Sequence, residues 1–425
     1  MSRFNGCSVW KTVALFPVIG LFSGLAVSTV AVAQNDWPQW RGSNRDDVSQ
    51  ETGLLQEWPE NGPEQVWISH QGGDGYSGFA IVGDNLFTVG ANADHEYAVC
   101  LSTGDGSVKW RQDIDERFVN DWGDGPRCTP TVSGDNVYVL SAKGTVACLK
   151  ATDGSVVWTK SLTGLGGEAP YWGYSESLLV DDGKVLCTPG GDQGAIVALD
   201  EKTGDVIWQS VEFTAPAQYS SMIVGNHSDK RHYVQLTMKS LVGIDPENGS
   251  LLWQHEFPGE TAVIPTPIFF DNKVYATASY GAGSTLVDIS NLAEPRQVWS
   301  NKIMKNHHGG VIMMGDHLYG YSDQVGWVCQ DVSTGDLVWS NKDDLGKGAI
   351  GYADGRFYLV AESSGEVVLI DATPDGWQER GRFTLGPQSE YRKSQGAIWV
   401  HPTVANGRLY LRDQELIYCF DVSVP

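Results

Sequence analysis

The chain has 425 residues, of which 41% are hydrophobic and 19% charged, a composition that suits a large globular core. Its formal charge of −23 disfavours nucleic acids and anionic bilayers as partners, because both would be repelled by the field of the protein.

Residues 1–33 differ in composition from the rest of the chain. Arg3 and Lys11 give a basic start, an apolar run extends from Val13 to Val32, and Ala31 and Ala33 form an A-x-A cleavage pattern. We interpret this segment as a secretory signal peptide. A transmembrane anchor is the alternative, since the run approaches the length of a bilayer span. The cysteine that a lipoprotein signal needs at the cut is missing, so we expect an exported, periplasmic or extracellular protein without a lipid anchor.

A ten-residue pattern with glycine at its sixth position and tryptophan at its tenth recurs in the rest of the chain. The copies are LSTGDGSVKW (101–110), LKATDGSVVW (149–158), LDEKTGDVIW (199–208), IDPENGSLLW (244–253) and QDVSTGDLVW (330–339). Glycine readily adopts the positive φ of a tight turn, so each copy predicts a strand, a turn and a second strand. Further alternating strands precede each copy, which makes a four-stranded antiparallel sheet.

The tryptophans that end these units return every 40 to 50 residues, which is typical of propeller blades. Phe383 occupies the next expected place, although the turns before Trp299 and Phe383 are longer than in the other copies. We predict that the tryptophans dock between blades; they are Trp67, Trp110, Trp158, Trp208, Trp253, Trp299 and Trp339. Eight outer strands predict an all-β, eight-bladed propeller, with seven blades as the alternative if the unit ending at Trp299 is misread.

The two ends of the predicted ring complement each other. Trp67 has no repeat before it, while LIYCFDVSVP (416–425) stops where its own tryptophan strand should begin. We therefore expect the segment around residues 65–68 to close the last blade, since a closed ring leaves no exposed strand edges there. This gives a propeller over residues 64–425 and an N-terminal extension, 34–63, that packs on it.

The repeat resembles that of the pyrroloquinoline-quinone (PQQ) family, in which Asp, Thr-Gly and a terminal Trp recur, as in DEKTGDVIW (200–208). DWPQWRG (36–42) is also similar to the segment that leads into many exported propellers of this kind. The family includes BamB-like propellers of the outer-membrane β-barrel assembly machinery and quinoprotein alcohol dehydrogenases. The resemblance implies the fold, whereas function must be argued from the site.

A dehydrogenase of this family would hold PQQ over the ring axis, with Ca²⁺ bound by carboxylate and amide oxygens, an Asp as base and two adjacent cysteines. The chain has no Cys-Cys pair and no C-x-x-C-H haem motif. We therefore expect no cofactor, and PQQ with Ca²⁺ only if the dehydrogenase alternative holds.

Four cysteines occupy one column of the repeat, in which other blades have small or apolar residues; they are Cys100, Cys148, Cys329 and Cys419. Matching positions on adjacent sheets are too far apart for a disulfide. We predict core thiols at these positions. The state of Cys128 and Cys187 stays open.

The connections from each outer strand to the next innermost strand should line the mouth of the ring. They are rich in aromatic and charged residues, which suit a polar organic, carbohydrate or peptide ligand. The candidate ligand-binding residues are Trp122, Arg127, Glu168, Tyr171, Trp172, Glu176, His307, His308, Lys347 and Arg392. The alternative is that the aromatic side chains plug the channel and that the charges pair with one another.

No metal site is predicted at His307 and His308, because neighbouring residues on an extended strand point to opposite faces. We expect a monomeric binding or scaffolding propeller of the cell envelope, with a protein or a small carbohydrate-like ligand at the mouth and no catalysis. The alternatives are a PQQ-dependent alcohol or polyol dehydrogenase, and a hydrolase or lyase in which Glu168 and Glu176 act as acid and base.

Overall fold

A computed structural model describes residues 1–3, 5–6, 35–227 and 230–424. Most of the predicted signal peptide, residues 7–33, therefore lies outside the described residues. The described part of the chain contains 32 strands, one 3-10 turn at Thr163–Leu165 and no helix that is long and apolar enough to cross a bilayer.

The strands in chain order are β1 (Glu64–Ser69), β2 (Ala80–Val82), β3 (Asn85–Ala91), β4 (His95–Ser102), β5 (Val108–Glu116), β6 (Thr131–Ser133), β7 (Asn136–Leu140), β8 (Thr145–Lys150), β9 (Val156–Ser161), β10 (Leu179–Asp181), β11 (Lys184–Cys187), β12 (Val197–Asp200), β13 (Val206–Gln209), β14 (Ile223–His227), β15 (Lys230–Leu236), β16 (Ser240–Ile244), β17 (Leu251–Glu256), β18 (Ile268–Phe270), β19 (Lys273–Ala278), β20 (Gly283–Asp288), β21 (Arg296–Asn301), β22 (Val311–Met314), β23 (His317–Ser322), β24 (Gly326–Asp331), β25 (Leu337–Asn341), β26 (Gly348–Ala353), β27 (Arg356–Ala361), β28 (Glu366–Asp371), β29 (Glu379–Thr384), β30 (Thr403–Ala405), β31 (Arg408–Asp413) and β32 (Leu416–Asp421).

These strands form eight four-stranded antiparallel sheets within the described part of the chain. Blade 1 is β2–β5, and each later blade takes the next four strands, up to blade 8 (β30, β31, β32 and β1). The predicted eight-bladed, all-β propeller is confirmed, and the seven-bladed alternative is wrong. The irregular unit that ends at Trp299 forms a complete sheet, β18–β21.

Ring closure occurs where the two ends of the propeller meet. Strand β1 pairs antiparallel with β32, with Gln65 opposite Phe420 and Trp67 opposite Cys419. A buried apolar cluster between blades 8 and 1 includes Trp67, Ile81 and Tyr410. Similar clusters fill the other blade interfaces. The predicted closure is therefore confirmed, and the core is a set of wedges between blades.

Each docking tryptophan typically caps the turn of the next blade. The Trp208 ring lies over Gly249, and its Nε1 donates to the carbonyl of Pro246 at 3.0 Å. Trp158 lies in the same way over Gly204, whose φ is +72°. A side chain on the turn glycine would enter the space of the indole. The same glycine therefore makes the turn and accepts the ring of the preceding blade.

Blade 7 departs from this pattern. Gly381 takes the register position opposite Leu369 where other blades have tryptophan, and Phe383 lies two residues further along the strand. Phe383 nevertheless docks on the next turn glycine, Gly62. Trp58 of the N-terminal extension packs edge-on against Phe383, with ring centroids 5.4 Å apart. Phe383, which the repeat assigns to the tryptophan position, is thus shifted along the strand, and Trp58 fills the space that this shift leaves.

The cysteine column lies beneath the docking rings. In the strand register, Cys100 lies opposite Trp110, Cys148 opposite Trp158, and Cys329 opposite Trp339. The cysteines in the described part of the chain are free and buried, Cys128 and Cys187 among them. Burial raises the pKa of Cys148 and of Cys329 to about 11. The predicted core thiols are confirmed.

Candidate functional site

An N-terminal segment, residues 36–48, crosses the central channel; we call it the plug. Trp37 forms a bridge to Ile81 of blade 1, and Val48 forms one to Tyr352 of blade 7. Between them, Arg45 donates to the carbonyls of Ser177 and Leu178 at the entrance to blade 3. The plug thus reaches innermost segments of blades 1, 3 and 7, on different sides of the ring, and lies across the channel.

A buried ionic cluster holds the plug in place. Arg41 Nε lies 2.6 Å from Asp47 Oδ2, and His401 Nδ1 lies 3.0 Å from the same oxygen. His401 Nε2 also donates to the carbonyl of His308 at 2.8 Å. Burial by itself would raise the pKa of Asp47, but the charges of Arg41 and His401 hold it below its usual value. The cluster links the plug to the blade 8 entrance and to the mouth.

A cavity lies at the mouth, between the plug and the connections that lead into the innermost strands. About 140 Å³ of it is accessible to the centre of a water molecule, and the cavity opens to solvent on one side. Its floor includes Trp40 of the plug, whose Nε1 donates to Thr266 Oγ1 at 2.9 Å. The lining residues are Trp40, Tyr76, Gly78, Trp122, Arg127, Trp172, Ser175, Ser177, Tyr219, Ser221, Ala262, Ile264, Tyr280, His307, His308, Trp399 and Val400.

Aromatic rings form most of the wall. Trp122 and Trp172 meet edge-on at 6.2 Å between ring centroids, and Tyr219 also packs against Trp172, at 5.8 Å. Trp399 contacts Tyr76 at 4.7 Å and stacks on His308 at 4.7 Å. These contacts preorganise flat apolar surfaces that come from several blades.

Arg127 brings a positive charge to this aromatic wall. Its guanidinium donates to the carbonyls of Gly125 and Gly123 and lies 5.4 Å from the centre of the Tyr76 ring. Among the described residues it forms no ion pair within 4 Å. Burial lowers the pKa of Arg127, which nevertheless stays charged at neutral pH.

His307 and His308 lie side by side, with ring centroids 3.7 Å apart, and both face the cavity. The expectation that they point in opposite directions is wrong, because residues 305–310 form an irregular connection and not a strand. Lys347 lies outside the lining; its ammonium is 2.7 Å from His307 Nδ1 and 2.9 Å from Asp323 Oδ1. Burial and the charge of Lys347 lower the pKa of His307 to about 4.

Comparison with known proteins places the chain in a family. A family model described as outer membrane protein assembly factor BamB matches residues 56–144 and 120–341, more than half of the chain. The chain belongs to this family. A BamB of Yersinia pestis is 25% identical over 346 residues, covering 72% of this chain and 80% of the relative. One from Shewanella oneidensis is 26% identical over 160 residues, covering 36% of this chain and 34% of the relative.

Solved structures share the fold of this BamB-family chain. BamB from Moraxella catarrhalis has a TM-score of 0.62 at 18% identity, covering 84% of this chain and 99% of that protein. Quinohemoprotein alcohol dehydrogenase from Comamonas testosteroni has a TM-score of 0.60 at 12% identity, covering 92% and 81%. The PQQ-like resemblance inferred from the repeat is thereby confirmed. The plug precedes the residues that match the BamB family model.

The lining does not fit PQQ with its Ca²⁺. Calcium is bound by several oxygen ligands, mainly carboxylates and carbonyls. Within the described residues, no Asp, Glu, Asn or Gln side chain lines the cavity, and no group of three or more potential metal ligands occurs. Cys128 and Cys187 are separate buried thiols and cannot replace the adjacent pair of the dehydrogenases.

The candidate carboxylates lie apart from the cavity and from each other. Glu168 is outside the cavity lining and lines a second, open groove, which shares only Trp172 and Tyr219 with the cavity. Glu176 is only 3% exposed and accepts hydrogen bonds from Thr188 N at 2.8 Å and Gln235 Nε2 at 3.3 Å. The two side chains therefore do not flank one substrate position, as a glycosidase pair would.

Glu176 gives a pH-dependent stability prediction. Burial raises its pKa from 4.5 to about 7, so the folded protein binds this proton more tightly than the unfolded chain. The contribution to stability must fall as the pH rises from about 4.5 to about 7. Glu176→Gln should remove this decline, which amounts to about 3 kcal/mol. In urea denaturation the free energy of unfolding of the variant should therefore rise relative to that of the parent between pH 4.5 and pH 8.

Glu168→Gln is the matched control, since Glu168 is an exposed carboxylate of the same connection. Its stability should follow that of the parent at each pH. Parallel stability curves for the parent and Glu176→Gln would show that Glu176 titrates normally.

Two further candidate residues from the sequence analysis, Arg392 and Tyr171, contact other side chains outside the cavity. Arg392 pairs with the buried Asp413 at 3.0 Å and lies outside the cavity lining. Tyr171 stays 66% exposed beside Trp172. Five candidates thus meet in the cavity; they are Trp122, Arg127, Trp172, His307 and His308.

Sequence reasoning missed several lining residues. Trp40 comes from the plug, and Tyr280 comes from the hairpin between β19 and β20, neither of which is an outer-to-inner connection. Tyr76 and Trp399 do lie on such connections and could have been found by ranking every aromatic residue there. Nothing in the repeat indicated Trp40.

Proposed function

We propose that this BamB-family chain is a non-enzymatic binding or scaffolding propeller of the cell envelope. It docks a protein partner on its mouth and takes part in outer-membrane protein assembly. The family supports this role, because the related proteins carry the name outer membrane protein assembly factor. The export signal expected at residues 1–33 agrees with an envelope location. The proposal includes no PQQ and no redox chemistry.

A group of exposed aromatic side chains on the mouth carries the proposal. Trp122 is 37% exposed, and Tyr171 and Tyr391 are each 66% exposed. Large aromatic residues on rigid supports are frequent centres of binding energy in protein interfaces. We call these three residues the docking aromatics.

Hydrogen bonds between blades hold the loops that carry them. Asn120 Nδ2 donates to the carbonyl of Tyr171 at 3.1 Å. Lys393 Nζ donates to the carbonyl of Asn120 at 2.9 Å and contacts Asp124 Oδ1 at 2.6 Å. Connections before blades 2, 3 and 8 are thereby joined. Such preorganisation reduces the entropy lost when a partner binds.

Genetic complementation tests the role. In a strain that lacks the gene, the parent chain should restore the amount of folded outer-membrane protein, measured by heat-modifiable migration on gels. The triple variant Trp122→Ala, Tyr171→Ala, Tyr391→Ala should fail, since it removes the docking aromatics. Its melting temperature should stay near that of the parent, because all three side chains are exposed.

The matched control is a triple alanine variant on the outer turns, at Lys202, Glu247 and Asp336, and it should complement fully. If the outer-turn variant failed to complement and the mouth variant succeeded, the partner would dock on the outer rim and not on the mouth. The purified parent should also reduce no dye with alcohols after incubation with PQQ and Ca²⁺. Turnover in that assay would replace the scaffold proposal by a dehydrogenase.

A further inference from the structure

Arg127 in the mouth cavity is a cation that contacts carbonyl dipoles and rings; the carboxyl groups of Glu96 and Asp124 act on its charge from a distance, outside the cavity lining. The nearby carboxylate of Asp124 is already bound by Arg117 at 2.9 Å and Lys393 at 2.6 Å. Burial lowers the pKa of Arg127, which indicates that its charge has lost part of its hydration. An anion that enters the cavity would replace that lost solvation with a charge-assisted hydrogen bond.

The serine hydroxyls of the cavity are also available as donors. Ser177 Oγ accepts from Thr129 N, and Ser221 Oγ accepts from Ser177 N, each at 2.9 Å. A serine oxygen that accepts a backbone N–H keeps its own O–H for another partner. Two neighbouring connections therefore present hydroxyl donors to the cavity.

Lys347 makes His307 a donor as well. An ammonium group has hydrogens but no lone pair to offer, so His307 Nδ1 must be the acceptor in their 2.7 Å contact. The proton of the neutral ring then lies on Nε2. Since the pKa of His307 is about 4, this tautomer holds at neutral pH.

The polar lining thus offers donors and a positive charge. No carboxylate or side-chain amide lines the cavity within the described residues. A neutral sugar presents many hydroxyl hydrogens, and these require acceptors that the side chains here do not supply in number. The lining selects an acceptor-rich, negatively charged group, although the whole chain carries a charge of −23.

The aromatic walls of the cavity favour a flat, apolar body for the part of the ligand that carries the anionic group. Trp122, Trp172 and Trp399 offer apolar ring surfaces around the space beside Arg127. Flat apolar groups pack well against such rings, in stacked or edge-on contacts. The space accessible to water centres, about 140 Å³, holds several water molecules, and a small ring system can take their place.

We propose that the mouth cavity binds a small organic acid whose carboxylate pairs with Arg127 and whose planar body packs among the tryptophans. The inference goes beyond the proposed function and does not depend on it. Partner docking uses the exposed rings around the mouth, whereas this ligand lies inside. Trp122 borders both sites, so partner docking alone is tested by the double variant Tyr171→Ala, Tyr391→Ala, which leaves the cavity lining intact.

Two probes of equal shape test the charge requirement. Isothermal titration of the purified, full-length protein with 2-naphthoate should show one saturable site, whereas the uncharged 2-naphthamide should bind at least tenfold more weakly. Arg127→Gln should weaken naphthoate at least tenfold and leave naphthamide unchanged, as expected for the loss of one charged hydrogen bond. Arg127→Lys should retain part of the preference for naphthoate.

Arg296→Gln is the control for charge alone, because Arg296 is exposed on the outer strand β21, and it should bind naphthoate like the parent. Trp172→Leu should weaken the binding of both probes equally. This variant keeps the test informative if the Arg127 variants fold poorly. Equal binding of the two probes, or no binding of either, would overturn the proposal. If the protein bound trigalacturonate and not naphthoate, the ligand would be an acidic sugar, and the proposed planar acid would be wrong.

This experiment and the complementation test fail independently. Probe binding is measured on the purified protein without a partner. Loss of complementation by the double variant Tyr171→Ala, Tyr391→Ala would still be expected if no organic acid bound, because neither side chain lines the cavity. Conversely, a protein that bound naphthoate but did not restore outer-membrane proteins would retain the acid site and lose the assembly role.

Discussion

Replacement of Asp47 by alanine is expected to lower the free energy of unfolding by about 3–5 kcal/mol. Asp47 is 1% exposed and accepts from both Arg41, at 2.6 Å, and His401, at 3.0 Å. The variant leaves the buried Arg41 guanidinium without its counter-charge. Removing one partner of a buried ion pair costs more than the pair contributes, because the other partner stays desolvated.

The effect should depend on pH in a defined direction. Since the pKa of Asp47 is lowered in the folded state, its contribution is present above the unfolded value of about 3.9 and is lost as the pH falls through the lower folded value. Urea denaturation at pH 7 and pH 3 should therefore show a smaller difference between parent and variant at pH 3.

Glu60→Ala is the control for this prediction, because Glu60 is an exposed carboxylate of the same N-terminal extension. Its stability should remain within about 0.5 kcal/mol of the parent. If Asp47→Ala also remained that close, the plug would not depend on this ionic cluster.

Trp208→Ala is the second large effect, with an expected loss of about 3–5 kcal/mol from burial and the cavity left behind. The ring is 7% exposed, lies over Gly249 and donates to the carbonyl of Pro246. Ile207→Ala is the control, because its neighbouring side chain on the same strand is 46% exposed and should cost far less. Equal melting of Trp208→Ala and the parent would contradict the docking role.

Two glycine variants in turns of blade 3 separate backbone strain from ring contact. Gly204 and Gly183 have φ values of +72° and +73°. A Cβ on Gly204 would lie 2.6 Å from the Trp158 ring, whereas one on Gly183 would meet nothing within 4 Å. Valine should therefore destabilise at both positions and more strongly at Gly204. Equal losses would mean that the turn alone, and not docking, requires glycine.

The blade pattern was predictable because it is local and repeated. Glycine at the turn and tryptophan four residues later report a conformation and a packing contact that each blade needs again. Closure was predictable too, since Trp67 and the terminal strand each lacked what the other supplied. Phe383 shows the limit of this reasoning. It docks on Gly62, but its register is shifted by two residues, because Gly381 and Trp58 together fill the tryptophan place.

The candidate site was only half predictable. Outer-to-inner connections pointed to Trp122, Arg127, Trp172 and the two histidines, and these do meet in the cavity. Glu176 lies on the same kind of connection, but its side chain points into the protein, where Thr188 N and Gln235 Nε2 donate hydrogen bonds to its carboxylate. Whether a loop side chain faces a ligand or a neighbouring strand depends on contacts with other blades, which a linear pattern does not encode.

The sequence by itself determined the type of blade, the closure of the ring and the thiol column, because these follow from short-range turns and from one periodic packing position. It favoured eight blades over seven, and the complete sheet β18–β21 decided the number. Tertiary structure alone decided that residues 36–48 cross the channel, that Trp40 forms a cavity floor and that Lys347 sets the proton position on His307. Each of these involves residues that are far apart in the chain or on different blades. The cause is the closed ring, which brings one connection from each blade to a common axis.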